Sequence, residues 1–198
     1  MKKFFIIFII FINVQTLTKA DDISSFMIEG MSIGDSALEI ITKENLELKK
    51  TMPDAYYPNS EKFFTASFTN TIVDLKVYDA LQLELKSKDH RYIIYSIMGK
   101  LYFKNNIEKC YEKQNEIAEE IAKIFTKATR DDKGISNHGW DKSGKSTRKR
   151  IIFWFEGTND YIKLVCNDWS DHLKQVDNLG VTINSAEFAN FLRNEAYD

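Results

Sequence analysis

The chain has 198 residues, 27 basic and 29 acidic, for a net charge of −2 with its histidines neutral, and so mild an acidity argues against nucleic acid as a partner. A chain of this length suits one domain with a sizeable core, and an aromatic content of 13 % supplies the bulk to fill it. Only two cysteines are present, and neither a C-x-x-C nor an H-x-x-x-H spacing occurs, so no zinc site and no cofactor is expected.

Met1, Lys2 and Lys3 form a basic start, Phe4 to Val14 an apolar stretch, and Thr18, Lys19 and Ala20 a small-residue cleavage site, the pattern of a signal peptide over residues 1–20. The apolar stretch is too short for a stable membrane span. Residue 21 is Asp, so no cysteine stands where a lipoprotein would be acylated. Cleavage takes away Lys2, Lys3 and Lys19 and no acid, which leaves residues 21–198 as a single domain with a net charge of −5.

In the remainder, Ser25 to Gly30 reads as a short strand, and Ser32 with Asp35 as the cap of a helix through Ile41 with Ile33, Ala37, Leu38, Ile40 and Ile41 on its buried face. The polar segment Lys49 to Asn59, with Pro53 and Pro58, reads as a loop, and Phe63 to Phe68 as a strand. Leu81, Leu83 and Leu85 alternate with Gln82, Glu84 and Lys86, the period of a strand with one buried and one wet face. After a polar turn at Ser87 to His90, the run from Tyr92 to Met98 is apolar on both faces, as in a central strand. Gly99 suggests a bulge before Leu101, Tyr102 and Phe103 resume the strand.

Asn105 with Glu108 reads as a capping box opening a long helix. Its buried stripe is Ile107, Cys110, Tyr111, Gln114, Ile117, Ala118, Ile121, Ile124, Phe125 and Ala128. Its wet face includes a Glu119 to Lys123 pair. Beyond it, Ile151 to Phe155 and Tyr161 to Trp169 flank the turn Gly157 to Asp160 as a hairpin. Leu179 to Ile183 is a last strand, and Asn184 with Glu187 caps a final helix presenting Phe188, Phe191 and Leu192. The sum is an α+β fold: an antiparallel sheet covered on one side by a long amphipathic helix, with N-terminal and C-terminal helices.

The segments IEGMSIGDSALE, YIIYSI, NNIEKC, DKSGKST and CNDWS together resemble a group of small secreted proteins of unknown function from streamlined marine bacteria, over nearly the whole chain. That resemblance implies a periplasmic or secreted location and a compact α+β domain, and it implies no activity. The strand followed by Gly30, Met31 and Ser32 also resembles, more distantly, the opening of outer-membrane assembly lipoproteins and inhibitor domains.

Gly139 to Ser146 match the P-loop pattern G-x-x-x-x-G-K-[ST]. A P-loop needs a strand before it and a helix after it so that backbone N–H groups face the phosphates, whereas here a polar loop precedes and a strand follows, so no nucleotide is expected. Lys142, Lys145, Arg148, Lys149 and Arg150 are the anion-binding candidates, five cations within nine positions of a chain of opposite sign. The stretch 131–150 reads as a polar loop, either functional or mobile. Ser170, Asp171 and His172 are adjacent, whereas the members of a triad converge from different elements, and no catalytic residue is assigned.

Cys110 lies on the helix stripe and Cys166 shares a strand face with Ile162 and Leu164, so the two are expected to form a disulfide in an oxidising compartment. The functional expectation is a secreted or periplasmic, non-catalytic domain that binds a protein or envelope component through its sheet face or its basic loop. The alternative is a small hydrolase or ligand-binding protein with a pocket between helix and sheet.

Overall fold

The computed structural model describes residues 22–104 and 106–197. The signal peptide expected over residues 1–20 and the expected capping residue Asn105 therefore lie outside the described residues. Eight strands form one antiparallel sheet in the described part: β1 (Tyr56–Tyr57), β2 (Ser60–Thr69), β3 (Ala80–Lys86), β4 (Ile94–Tyr102), β5 (Thr129–Asn137), β6 (Thr147–Trp154), β7 (Tyr161–Asp168) and β8 (Asn178–Asn184). Their order is β1-β2-β3-β4-β8-β7-β6-β5, so two four-strand meanders meet at a β4–β8 seam that pairs Ser96 with Asn184 through to Tyr102 with Asn178. Helix α1 (Lys43–Lys50) precedes the sheet, α2 (Ile107–Ile124) connects the meanders, and α3 (Ala186–Asn194) ends the chain.

Alternation assigns the faces. Phe64, Ala66, Leu81, Leu83, Leu85, Ile97, Val181, Ile183, Ile162, Leu164, Ile151 and Phe153 point to a first face and belong to one buried cluster. Helix α2 packs against β7 and β8 on that face, with Cys110, Gln114, Ala118 and Ile121 buried. Cys110 is bonded to Cys166 of β7 with a Cα–Cα separation of 6.0 Å, as expected. Gln114, the one polar residue of the stripe, donates from Nε2 to the carbonyls of Lys149 and Leu164 at 2.9 and 3.1 Å. The rest of the face is filled by the N-terminal segment, through Ile23, Ile28, Met31, Ala37, Ile41 and Leu46, and not by one long helix.

That N-terminal segment departs from the helix expected over Ser32 to Ile41. Only a 3₁₀ turn at Ala37–Glu39 forms there, capped by Ser36, because Gly34 takes a left-handed φ of 92° and the backbone bonds outward, Gly34 N–H to the Ile94 carbonyl and Ile94 N–H to the Asp35 carbonyl. Leu38 and Ile40 are exposed in consequence. The true helix is α1, capped by Thr42, and it runs into the segment expected as loop. Glu29 and Gly30 both have positive φ in a tight turn closed by the Ile28–Met31 bridge. The Glu29 carboxylate accepts the backbone N–H groups of Lys76, Val77 and Tyr78, each at 2.8 Å, which ties this turn to the chain entering β3.

Gly99 makes no bulge, since its pairing with Leu81 and Val181 is continuous. The Tyr78 ring lies so close that a Cβ on residue 99 would come within 2.6 Å of it. The irregularity falls instead at Tyr95, where Glu84 pairs with Ser96 but Leu85 with Ile94. Tyr92, expected in the strand, is a buried turn residue with φ 54°. Helix α2 is capped by Asn106, whose side chain accepts from Lys109 N–H, and Glu119 pairs with Arg130 at 2.6 Å, not with Lys123. The largest departure is at 131–150, where the expected loop is mostly the β5–β6 hairpin. Nearly every side chain there is polar, so no alternation marks it, and an edge strand rich in charge is the usual defence against pairing with another chain.

A second, smaller apolar cluster lies at one end of the second face. Phe63, Phe188, Phe191 and Ala196 form a small core there with Tyr57, Tyr95 and Leu192, in which the Phe63 ring lies 4.8 Å from that of Phe191 and 5.3 Å from that of Tyr95. Helix α3, capped by Ser185, therefore covers Glu84, which is 3 % exposed where the alternation expects a wet residue. Its carboxyl accepts from Thr65 Oγ1 and Gln82 Nε2 at 2.9 Å and from the Tyr57 hydroxyl at 3.1 Å. Burial raises the Glu84 carboxyl above its usual range against the pull of these three hydrogen bonds. It also raises the Tyr57 hydroxyl.

A carboxyl whose folded value is raised contributes stability that is present below its unfolded value, 4.5, and is lost as pH rises through the folded value. Glu84→Gln is therefore expected to match the wild type in urea unfolding at pH 4 and to exceed it at pH 8; a difference independent of pH would contradict the assignment. Reducing the Cys110–Cys166 bridge, whose ends are 56 residues apart, is expected to lower the unfolding free energy by about 4 kcal/mol through chain entropy. A loss below about 1 kcal/mol would show that the packing of α2 on β7 holds without the bond.

Candidate functional site

Strand β7 buries Ile162, Leu164 and Cys166 on the first face, so Lys163, Val165 and Asn167 point to the second. On β6 the same rule sends Ile151 and Phe153 inward and Arg148, Arg150 and Ile152 to the second face. Register then sets these side chains side by side: Ile152 opposite Lys163, Arg150 opposite Val165, Arg148 opposite Asn167, and Ser136 of β5 opposite Arg148. Gly180 of β8 stands between Val165 and Lys100 of β4. Lys100 is thus three strands from Arg150, roughly 14 Å by strand spacing. Helix α3 contacts β4 beside the row of Glu84, Ser96 and Asn184, and among the described residues no other helix packs on this face.

The face is therefore cationic and partly desolvated. Burial lowers the Lys163 ammonium below its ordinary value, with the charges of Arg148 and Arg150 adding to the effect. Burial likewise lowers Lys100, and it lowers Arg148, with a further push from Arg150. None of the ion pairs among the described residues involves Lys100, Arg148, Arg150 or Lys163. The Nε atoms of both arginines are buried without a hydrogen-bond partner. Cations withdrawn from water are ordinarily paired, so four half-buried ones without an ion pair on a single face make it the candidate site for an anion.

Of the five candidates read from the sequence, Arg148 and Arg150 belong to this cluster. Lys149 points to the opposite face, where its Nζ lies 5.2 Å above the Tyr111 ring and 3.2 Å from Asn115 Oδ1. Lys142 and Lys145 sit in the exposed connection between β5 and β6. Lys100 and Lys163 are isolated in sequence and so escape a reading by charge runs, although the alternation that turns Ile162, Leu164 and Cys166 inward already implies that Lys163 faces outward. Strand β6, not a helix, follows Ser146, so the P-loop match is a hairpin connection, preceded by β5 where a loop was expected.

A polar clasp holds that connection. Asp141, nearly buried, accepts from Ser143 N–H at 2.9 Å, from Ser146 N–H and Oγ at 3.0 and 2.7 Å, and from Ser170 Oγ at 2.9 Å. His172 stands beside it, with Nδ1 2.9 Å from Ser170 Oγ and Nε2 3.5 Å from Asp141 Oδ1. The structure thus joins Ser170 and His172 to Asp141, and not to Asp171. The Ser170 amide is already given to Ser146 Oγ and its hydroxyl to the carboxylate, so the arrangement fastens the β5–β6 connection to the end of β7. Hydrogen bonds from Ser143, Ser146 and Ser170 hold the Asp141 carboxyl well below the usual carboxylate range.

Two surface hollows lie elsewhere. One of about 630 Å³ is lined by Glu61, Lys62, Lys86, Asp89, Arg91 and Tyr95 among others. The other, about 430 Å³, runs between α2 and the end of β4, and its lining of Asp79, Leu101, Tyr102, Phe103, Lys109, Glu112, Lys113 and Glu116 contains no serine, cysteine or histidine. Comparison with family models, curated proteins and solved structures gives no match.

A depressed carboxyl contributes stability above its unfolded value, 3.8, and that contribution is lost as pH falls through the folded value. Asp141→Asn is expected to lower the melting temperature at pH 7, and the gap to the wild type is expected to narrow as pH falls below 3.8 toward the folded value. Equal melting temperatures at pH 7 would show that the clasp carries no stability.

Proposed function

We propose that the chain is an exported, non-catalytic binding domain, and that the open face of its sheet holds an anionic component of the cell envelope. The observation that carries this reading is the group Lys100, Arg148, Arg150 and Lys163, cations on one face with no ion-pair partner among the described residues. Export is supported by the signal-peptide pattern of residues 1–20, by the Cys110–Cys166 bond, which suits an oxidising compartment, and by the resemblance to small secreted proteins. No described helix is long and apolar enough to cross a membrane. In this reading α2 and the N-terminal segment close one face as a lid, and the other is left for the partner. Bringing cations together without carboxylates costs stability, which a protein retains where function requires it.

The test uses dextran sulfate as an immobilised polyanion. The mature protein is expected to be retained in spite of its net charge of −5 and to elute as salt rises, since screening weakens charge attraction. Arg148→Ala, Arg150→Ala and Lys163→Ala combined should abolish retention with the fold intact by circular dichroism. Lys142→Ala with Lys145→Ala should alter it little. Retention of the triple variant at the wild-type salt concentration would overturn the proposal.

A further inference from the structure

Six buried side-chain polar atoms have no hydrogen-bond partner among the described residues: Gln114 Oε1, Ser136 Oγ, Arg148 Nε, Arg150 Nε, Trp169 Nε1 and Asn184 Nδ2. Two of them stand apart, Gln114 under α2 and Asn184 beside α3. The other four belong to one neighbourhood. Arg148 and Arg150 are two residues apart on β6, and Ser136 pairs with Arg148 across the β5–β6 ladder. Trp169 follows β7 directly and stacks on His138 at 4.2 Å between ring centroids, and His138 lies close enough to Arg148 for that charge to lower its imidazole, after burial itself. Lys163 of β7 feels both arginines.

Every one of these unmet groups is able to donate. Arginine, lysine and tryptophan carry donors and no acceptor, and serine adds a hydroxyl that does either. The nearby carboxylates are taken. Asp131 pairs with Lys133 at 2.7 Å, Asp141 is occupied by its serines, Asp177 accepts from Trp169 N–H at 2.8 Å, and Asp168 accepts from Thr147. Buried donors are nearly always satisfied in folded proteins, so a cluster of them in a cationic setting calls for a ligand made of acceptors.

Resting on the reading of this face as an anion surface, we propose that Ser136, Arg148, Arg150 and Trp169, whose buried donors are unmet, form a cradle for a tetrahedral oxyanion, the phosphate or sulfate group of an envelope ester or the free ion, with Lys163 farther along the same face. The shape of the donor set selects the chemistry. A carboxylate offers two oxygens with lone pairs in one plane, whereas these donors come from two neighbouring strands, β5 and β6, and from the chain just beyond the end of β7. A tetrahedral group presents three or four oxygens in as many directions, and arginine guanidinium groups match such oxygens two at a time.

Indole N–H resonances of ¹⁵N-labelled protein provide the test, with the Trp169 signal assigned by its absence in Trp169→Phe. Inorganic sulfate, inorganic phosphate, glycerol phosphate and acetate are titrated at constant ionic strength. The Trp169 signal is expected to shift to saturation with sulfate or phosphate and not with acetate. A tighter response to glycerol phosphate than to inorganic phosphate identifies an ester as the ligand, and the reverse identifies the free ion. Ser136→Ala, which leaves the net charge unchanged, should weaken binding by about tenfold, the effect of one hydrogen bond to a charged group. If Ser136→Ala binds as the wild type does, or acetate binds equally, the cradle is overturned while dextran sulfate retention still supports the anion surface. If the Arg148, Arg150 and Lys163 variant also retains dextran sulfate binding, both readings fall.

Discussion

The register of the seam between β4 and β8 is the constraint on which the rest of the molecule depends. A strand alternates its side chains with a period of two, so a slip of one residue would exchange the faces of an entire meander. In the observed register Ile97 meets Ile183 and Gly99 meets Val181, which makes the apolar sides of both meanders one continuous surface. The seam also sets Cys166 beneath α2, and it sends α3, which leaves the end of β8, onto the opposite face against Tyr95 and Phe63. Two close approaches fit the same register: Tyr78 over Gly99, and Met98 beside Gly180, where a Cβ would lie 3.2 Å from its sulfur.

The two faces then divide the work. On the first, α2 is held by a covalent bond, by the two hydrogen bonds of Gln114 and by apolar contact, so helix and strands are fixed relative to one another. On the second, α3 shields one end and Lys163, Arg148 and Arg150 occupy the other, with Ile152 and Val165 beside them in register. Long cationic side chains cover apolar surface with their methylenes while their heads seek water or an anion. Rigidity on one side is what gives the cations on the other a fixed spacing, because Arg148, Arg150 and Lys163 stand on strands whose backbones are anchored from below. The Asp141 clasp extends this order into the β5–β6 connection and so steadies Ser136 and His138 at the end of the cationic row.

Departures between local pattern and structure cluster where distant segments intervene. Ser32 to Ile41 has helical spacing, yet its backbone groups bond to Tyr92 and Ile94, residues some fifty or sixty positions away that no local pattern includes. Glu84 reads as a wet residue because its alternation with Leu83 and Leu85 is perfect, and only the arrival of α3 buries it. The β5 strand has no apolar alternation at all, since its partner β6 supplies the ladder and neither face of β5 contributes much to the core.

What the sequence by itself determined is what depends on near neighbours. The leucines of β3, the stripe of α2 apart from Ile124, which is exposed, the turn at Gly157 to Asp160 and the final strand and helix follow from periods of two and of 3.6 and from turn chemistry. The Cys110–Cys166 pair was legible too, because only two cysteines exist and each lies on a recognisable apolar face. The proposed anion surface was legible by half: Arg148 and Arg150 stand out as part of a run of cations, but nothing in that run separates them from Lys149, which is adjacent in the chain and on the opposite side of the sheet. Only the tertiary structure decided that Lys163 and Lys100 join them, that Ser136 and Trp169 bring unmet donors to the same end of the face, and that among the described residues no carboxylate forms an ion pair with these cations. The reason is that strand pairing sums the registers of β5 to β6, β6 to β7, β7 to β8 and β8 to β4, and each of those registers is set by the burial of the other face.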